Sequence, residues 1–550
     1  MDSMSGLMRG FVPRRDFAYR LPRGGGMRVT TIVVALLCAA ASLLGQGTRS
    51  AAQAIDGVAS ALGGKPRLLA LKTLKIEGYG QLAYMNGGGN ISSSPDAPQK
   101  WIRVPEYEKT IDVAGRRLRV RQRQHNDFVF ASVDGYLGRN VAVQALDGEI
   151  AFNIGADGRA TRAGTAAVTA RRIDMLAHPV VLVRAILDQK ARVTNLRSQN
   201  GADFVDVVTS EGDRFTMAID RATQLPSWIS WVAQNENLGD VAFRLHFTGY
   251  LPVKGVMLPT GFNTMIDFRN ISQSKLYVDT NTVDGPIPDL AAPAAVRSAS
   301  IPAPAVLAVD AAPVGKGTWL LTGRGGANSI LFEFADHLTV FELPTSQAWA
   351  RALIEKAQSV VPGKRVTEVI VSHHHFDHTG GLRQAIASGL TVIGHKGVEG
   401  LFREIAARKS TVEPDAIGAS PRALKFRAVD DHLQLKDSLM TVELYHTISN
   451  SHMAEGLFAY VPQDRLLIQG DFYDVSWEIY WWQDTYMDNV RYRNLQVDRD
   501  VPVHGRVSTL QEVLEGIRRQ TRAAQELCAK MAAAQAFPPG CPVKEPAPAQ

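Results

Sequence analysis

Ser372-His373-His374-His375-Phe376-Asp377-His378-Thr379-Gly380-Gly381 packs four of the chain's 13 histidines into six residues. At that histidine content the pattern H-x-H-x-D-H arises by chance in roughly one chain of this length in a few thousand, so it marks chemistry rather than packing. The run ahead of it, Val366 to Val371, is apolar and predicts a buried strand, with the histidines on the loop where that strand ends. Imidazoles two apart on such a loop converge on one ion, and an Asp-His pair opening the next helix faces a second ion beside it. Histidine and carboxylate without thiolate suit zinc, with iron and manganese as alternatives. Thr379-Gly380-Gly381 lets the backbone pass close beneath the site.

Around the motif strands alternate with helices. Ile330 to Phe334 and Leu338 to Phe341 read as strands and Trp349 to Ser359 as a helix, which predicts an α/β domain. Here the chain resembles the metallo-β-lactamase superfamily over about residues 314 to 525. That likeness implies an αββα sandwich with a dinuclear metal site at one edge of its sheets. It also implies the remaining ligands: His452 in Ser449-Asn450-Ser451-His452, Asp471 after the strand that ends at Gly470, and His504 in Val501-Pro502-Val503-His504-Gly505. By this resemblance His373, His375 and His452 hold the first metal, Asp377, His378 and His504 the second, and Asp471 bridges them. His374 points elsewhere or stands behind the ligands. His446 competes with His452, but only His452 lies 19 residues before Asp471, the spacing the likeness leads one to expect. His337, His395 and His432 read as surface or supporting groups.

The same resemblance implies hydrolysis. Two zinc ions lower the pKa of bound water from 15.7 to about 7, so a hydroxide between them is the expected nucleophile, and the ions polarise the substrate carbonyl. Asp377 steers that hydroxide and carries a proton to the leaving group. Many superfamily members have an Asp at the end of an early strand behind the ligands. This chain has Phe341-Glu342-Leu343-Pro344 there, so Glu342 takes that place with a longer side chain or the support is missing. After Asp471 come Phe472, Tyr473, Trp477, Tyr480, Trp481, Trp482 and Tyr486, a set that walls the substrate site or forms plain core. Tyr473 is the candidate donor to a developing oxyanion.

Upstream, from Ile55 to about Val283, the period is two: Leu74 to Glu77, Leu118 to Arg121 and Val241 to Phe247 alternate apolar with polar. Turn signals at Gly87-Gly88-Gly89-Asn90 and Ala156-Asp157-Gly158 separate strands, and Pro179 to Lys190 reads as a helix. The arginines of Arg116-Arg117-Leu118-Arg119-Val120-Arg121-Gln122-Arg123 then fall on the solvent face of a strand, which argues against a nucleic-acid partner. The opening ALGGKPRLLALKTLKIEGYG, Leu225-Pro226-Ser227-Trp228 and FTGYLPVKGVMLPTGF resemble the half-barrels of periplasmic lipoprotein carriers, implying a β-rich antiparallel half-barrel domain (55–283) and at most a lipid or other apolar ligand. Residues 284 to 313 hold six prolines among alanines and read as an extended linker. The metallo-β-lactamase-like domain is expected over 314–535 and a Pro-rich tail over 536–550.

The net charge of +6 is concentrated at the start, where the first 54 residues carry seven arginines against two aspartates. Behind them VTTIVVALLCAAASLL is too short to span a membrane comfortably and is followed by small residues ending Ala52-Gln53-Ala54, the plan of an export signal. Met27-Arg28 opens a compact signal, while Arg14-Arg15-Asp16-Phe17 resembles a twin-arginine motif. The mature chain is expected to be periplasmic or secreted, with no stable membrane span after signal removal. In that oxidising setting Cys528 and Cys541 are placed to pair, two free thiols being the alternative. The function expected is an exported dinuclear zinc hydrolase of a small-molecule ester, lactone, thioester or amide. The alternatives are a β-lactamase, an iron-dependent oxidoreductase and a non-catalytic lipid-binding or sensor protein.

Overall fold

Alternation governs how both parts fold. A computed structural model describes residues 49–85, 88–126, 140–303, 307–323 and 327–533. Thirteen antiparallel strands between Thr73 and Val283 form one sheet; numbered along the chain they lie in the order 6-5-4-3-2-1-13-12-11-10-9-8-7. The sheet is therefore open, with strands six and seven at its edges. Helices Ala51–Ala61, Lys65–Ala70, Thr165–Leu176 and Pro179–Leu187 cover one face, burying Ile55, Leu62, Leu68, Val180 and Leu182 against Leu74, Ile111, Val205 and Met217. This is the strand-rich N-terminal part expected from period two. The predicted helix at 179–190 is present as Pro179–Leu187.

On strand Arg117–Asn126 the arginines are partly exposed and paired. Arg117 bonds Asp147 at 2.8 Å, Arg119 Glu108 at 3.1 Å, and Arg121 and Arg123 both reach Glu106. Neutralised in this way, the row presents no unbalanced cationic track.

From Val309 the chain builds two further sheets. Seven strands run in chain order from Val309–Gly315 to Lys425–Val429, antiparallel at first and parallel from Leu338–Phe341 onward. Six more run from His432–Lys436 to Ser508–Thr509. Successive residues serve opposite faces, as strand geometry requires. Leu457, Ala459 and Val461 meet Ile330, Phe332, Ile370 and Ile393 between the sheets, while Phe458 and Tyr460 face outward onto Tyr486, Val513 and Ile517 of helices Asp484–Tyr492 and Leu510–Ala533. On the opposite flank Leu331, Val340, Val369 and Val392 pack under helices Gln347–Val360, Leu382–Ala387 and Glu399–Ala407. The result is an αββα sandwich.

The Pro/Ala segment is not extended throughout, as expected of it, but partly helical and docked. Leu290, Ala292 and Val296 are buried against Ala145 and Phe152 of the N-terminal sheet, with Ala294–Ser298 helical, because small apolar residues dock where no periodicity announces them. Its end, Val309–Gly315, is an edge strand, a position that tolerates Pro313. The N-terminal sheet also inserts Ile91, Leu238, Phe268 and Ile271 into the core beneath the sandwich helices. Arg408 donates to the Leu238 and Asp240 carbonyls across the same contact.

Residues 1–48, which carry most of the expected export signal, and the tail from 534 lie outside the described residues. Cys528 is disulfide-bonded, and Cys541 lies outside them as well. Among the described residues no helix is long and apolar enough to cross a membrane.

Candidate metal centre

All seven sequence-selected ligands stand where strands end. His373 and His375 lie on the loop after Val366–Ile370, and Asp377 and His378 sit on the short helix Phe376–Thr379 that follows. His452 lies on the loop between Thr441–His446 and Leu457–Val461, while Asp471 follows Leu466–Gln469 and His504 follows Arg499–Pro502. The parallel strands of both sheets bring these ends to one edge of the sandwich.

Two groups result, His373, His375, His452 and Asp471, and Asp377, His378, Asp471 and His504, each with its ligand atoms within 4.8 Å of one another. Asp471 belongs to both. Its Oδ2 lies 2.9 Å from His452 Nε2 and 3.7 Å from His373 Nε2, and its Oδ1 lies 3.2 Å from His378 Nε2 and 3.5 Å from His504 Nε2. His504 Nε2 is also 3.3 Å from Asp377 Oδ2. The imidazole nitrogens face one another, 3.0 Å for His373 Nε2 and His375 Nδ1 and 3.2 Å for His504 Nε2 and His378 Nε2. Imidazole nitrogens and carboxylate oxygens converging in this way suit a divalent ion.

Electrostatics divide the two groups. Burial holds the His373 and His375 pKa values well below the usual imidazole range, leaving neutral rings with lone pairs to offer. Burial opposes charge on His378 too, yet Asp471, Asp377 and Glu342 together raise its pKa well above the ordinary value. Exposure rises from zero at the His373 and His378 side chains to 28% at His504 and 41% at Asp377, so the centre opens to solvent on the Asp377 side.

The surroundings fix this arrangement. Ser372 Oγ contacts His373 Nδ1 at 2.9 Å, which leaves Nε2 to face the cluster. Glu342, fully buried, accepts the Ser372 N–H at 2.8 Å and lies 3.4 Å from His378 Nδ1, the supporting place anticipated for it. Gly380 is required by contact: a Cβ there would lie 2.2 Å from the Thr345 backbone. At Gly470 a Cβ would lie 2.4 Å from Ser372 Oγ.

Residues 322–472 match the sequence profile of the Metallo-beta-lactamase superfamily. This part of the chain is a metallo-β-lactamase superfamily domain. The match, together with a His/Asp cluster suited to divalent metal, indicates a metal-dependent hydrolase. Among solved structures the chain is similar to DIM-1 metallo-beta-lactamase, at 16% identity over 39% of this chain and 98% of that one, TM-score 0.32. It is similar to the metallo-beta-lactamase from Pontibacter korlensis at 15% identity, covering 39% of this chain and 99% of that one, TM-score 0.31. The enzyme from Hirschia baltica matches at 14% identity, covering 38% and 95%, TM-score 0.30. No protein of curated function matches the sequence.

Several other sequence candidates stand outside the two groups of the superfamily domain. His374 faces Glu455, its Nδ1 3.8 Å from Oε2, and burial pushes its pKa down to about 4. His446 stacks on His395 at 4.3 Å and bonds the Ala454 carbonyl. His337 pairs with Asp336 and His432 with Glu443, both at the surface.

Tyr473 requires a correction as oxyanion donor. It is buried in the outer core with Tyr480 and Tyr486, its hydroxyl so close to Gly516 of helix Leu510–Ala533 that a Cβ there would lie 2.1 Å away. Burial drives the phenol pKa well up. The aromatic that does meet the ligands is Trp482. Its ring lies parallel to His452, and its Nε1–H donates to the Asp471 carbonyl. Gln469 braces the same turn, accepting from Phe472 N–H and donating to the Tyr473 carbonyl. Neither role has a periodic signal, although Trp482 falls within the aromatic run read from the sequence.

Proposed function

We propose that this chain is an exported, dinuclear zinc hydrolase that cleaves an ester, lactone, thioester or amide of apolar or amphipathic character. The observation that carries this reading is Asp471, whose two oxygens face two separate histidine groups. Two zinc ions bound there would supply Lewis acidity and a deprotonated water at neutral pH. The chain's own residues do the rest. Asp377 Oδ2, on a half-buried side chain and 3.3 Å from His504 Nε2, is positioned to take the proton of the attacking water and deliver it to the leaving atom as the acyl bond breaks. The Trp482 ring, stacked on His452, is the aromatic surface beside the ligands that supports an apolar substrate.

Metal analysis of the purified chain, followed by a panel of lactones, aryl esters, thioesters, sulfate esters and β-lactams, tests the proposal. Two zinc ions with turnover lost on chelation are expected. A chain that takes up no zinc, or whose turnover survives chelation, would refute it.

Export rests on the arginine-rich, apolar start. Ala54 is buried inside helix Ala51–Ala61, so cleavage after it would take away the first turn of that helix. A mature N-terminus near Ile55 in the periplasmic fraction is expected by mass spectrometry. An apolar ligand of the N-terminal sheet is part of the same proposal; the cavity beneath its helices mixes Val113, Met175, Leu176 and Val181 with the charged Arg116, Arg172, Arg184, Asp188, Lys190 and Glu211. Lipid recovered from the folded protein by organic extraction is the expected outcome, and its absence would remove that part of the reading.

A further inference from the structure

Trp482 touches two ligands of the first group at once. Its ring lies 4.5 Å from the His452 ring, only 10° from parallel, and its Nε1–H donates to the Asp471 carbonyl oxygen at 2.6 Å. His452 belongs to that group alone, and Asp471 is shared by both. The second group has a different support, since His378 is backed by Glu342.

We infer that Trp482 is a positioning residue that holds the first ligand group, through His452, more firmly than the second. The inference rests on the two-ion reading above. A flat ring against His452 restricts rotation of the imidazole, holding Nε2 where it meets Asp471 Oδ2 at 2.9 Å. The N–H bond ties down the backbone from which the Asp471 side chain departs. Trp482 is itself held: Tyr480 packs on it with centroids 4.7 Å apart, and Tyr480 in turn meets Tyr473 at 5.7 Å and Trp477 at 5.5 Å. The aromatic run after Asp471 is therefore a buttress that reaches from the outer helices to one half of the centre. Groups that orient metal ligands from behind typically change metal affinity by about 10- to 100-fold when removed.

The test is zinc titration of the full metal-free chain against a chromophoric chelator, which resolves two binding events. Trp482→Ala is expected to weaken one event by about 10- to 100-fold while the other, at Asp377, His378, His504 and the shared Asp471, moves clearly less. Trp482→Phe keeps the ring and loses only the N–H donor, so it should restore most of the affinity. A folded Trp482→Ala chain that binds both ions as tightly as wild type would overturn the inference, as would equal weakening of both events. If the alanine variant does not fold, Trp482→Leu, which loses both the flat ring and the N–H donor, replaces it with the same readings: a larger loss in one event supports the inference, and unchanged or equally weakened affinities overturn it. Wild-type chain that binds no zinc would instead overturn the two-ion reading, and this inference with it.

Discussion

Glu342 Oε1 accepts the Ser372 N–H at 2.8 Å and lies 3.4 Å from His378 Nδ1, so one buried carboxylate holds both the loop that leads into His373 and the ring of a second-group ligand. It does so from a left-handed backbone, with φ +70°, a conformation that costs a non-glycine residue of order 1 kcal/mol. Such strain is retained where the side chain must reach a fixed point. Glu342→Gln keeps an acceptor for Ser372 and loses the charge beside His378. It is expected to weaken zinc binding and to lower the hydrolytic rate by about 10-fold or more, read by chelator competition and initial rates. Wild-type values for both would refute the assigned role.

Ligand variants should separate chemistry from folding. His452 sits on a loop and Asp377 on the short helix Phe376–Thr379, both at the edge of the sandwich and outside its apolar clusters. His452→Ala and Asp377→Ala are therefore expected to abolish turnover while the thermal midpoint of the metal-free chain moves by no more than about 4 °C. Calorimetry of the chelated proteins and rates after zinc loading check this. Full activity in either variant would sink the ligand assignment.

How much of this was legible in the sequence follows from the physics of each feature. The seven clustered histidines and aspartates were legible because metal chemistry restricts residue type and because the family resemblance supplied the spacing; His452 and Asp471 flank one hairpin, Leu457–Val461 with Leu466–Gln469. The sandwich was legible through apolar strands such as Ile330 to Phe334. Tyr473 was misassigned because the strand ends at Gln469, and beyond it no period says which side chain turns inward. The same coil hides the stack of Trp482 on His452. The Pro/Ala segment misled for a related reason, since Leu290 and Val296 are buried by a surface 140 residues away in sequence, at Ala145 and Phe152.

The contact between the N-terminal sheet and the sandwich predicts dependence of one on the other. Leu238, 1% exposed at the tip of a hairpin, lies in the same cluster as Trp349, Leu353 and Ile405. Leu238→Ala is expected to cost about 2–4 kcal/mol in urea unfolding. A fragment beginning at Val309 would leave that cluster open to water and is expected to aggregate, as judged by light scattering. A soluble, monomeric fragment with wild-type zinc affinity would show that the sandwich needs no such cover.

His178 sets a pH limit on the N-terminal part. It is 2% exposed, both ring nitrogens lack a hydrogen-bond partner among the described residues, and Phe262 lies 5.9 Å away. Burial, aided by nearby Lys109, pushes its pKa down to about 3 from an ordinary 6.5. Between those values the unfolded chain binds a proton that the folded chain refuses, so stability falls as pH drops below about 6.5 and this loss is complete near pH 3. The slope is at most about 1.4 kcal/mol per pH unit for one such group. Replacing the imidazole by an apolar ring, His178→Phe, should flatten the wild-type stability curve between pH 6.5 and 4.5 while leaving its neutral value within about 2 kcal/mol. Urea unfolding at stepped pH decides it, because parallel curves for the two proteins would mean that His178 finds a proton-accepting partner in the folded chain.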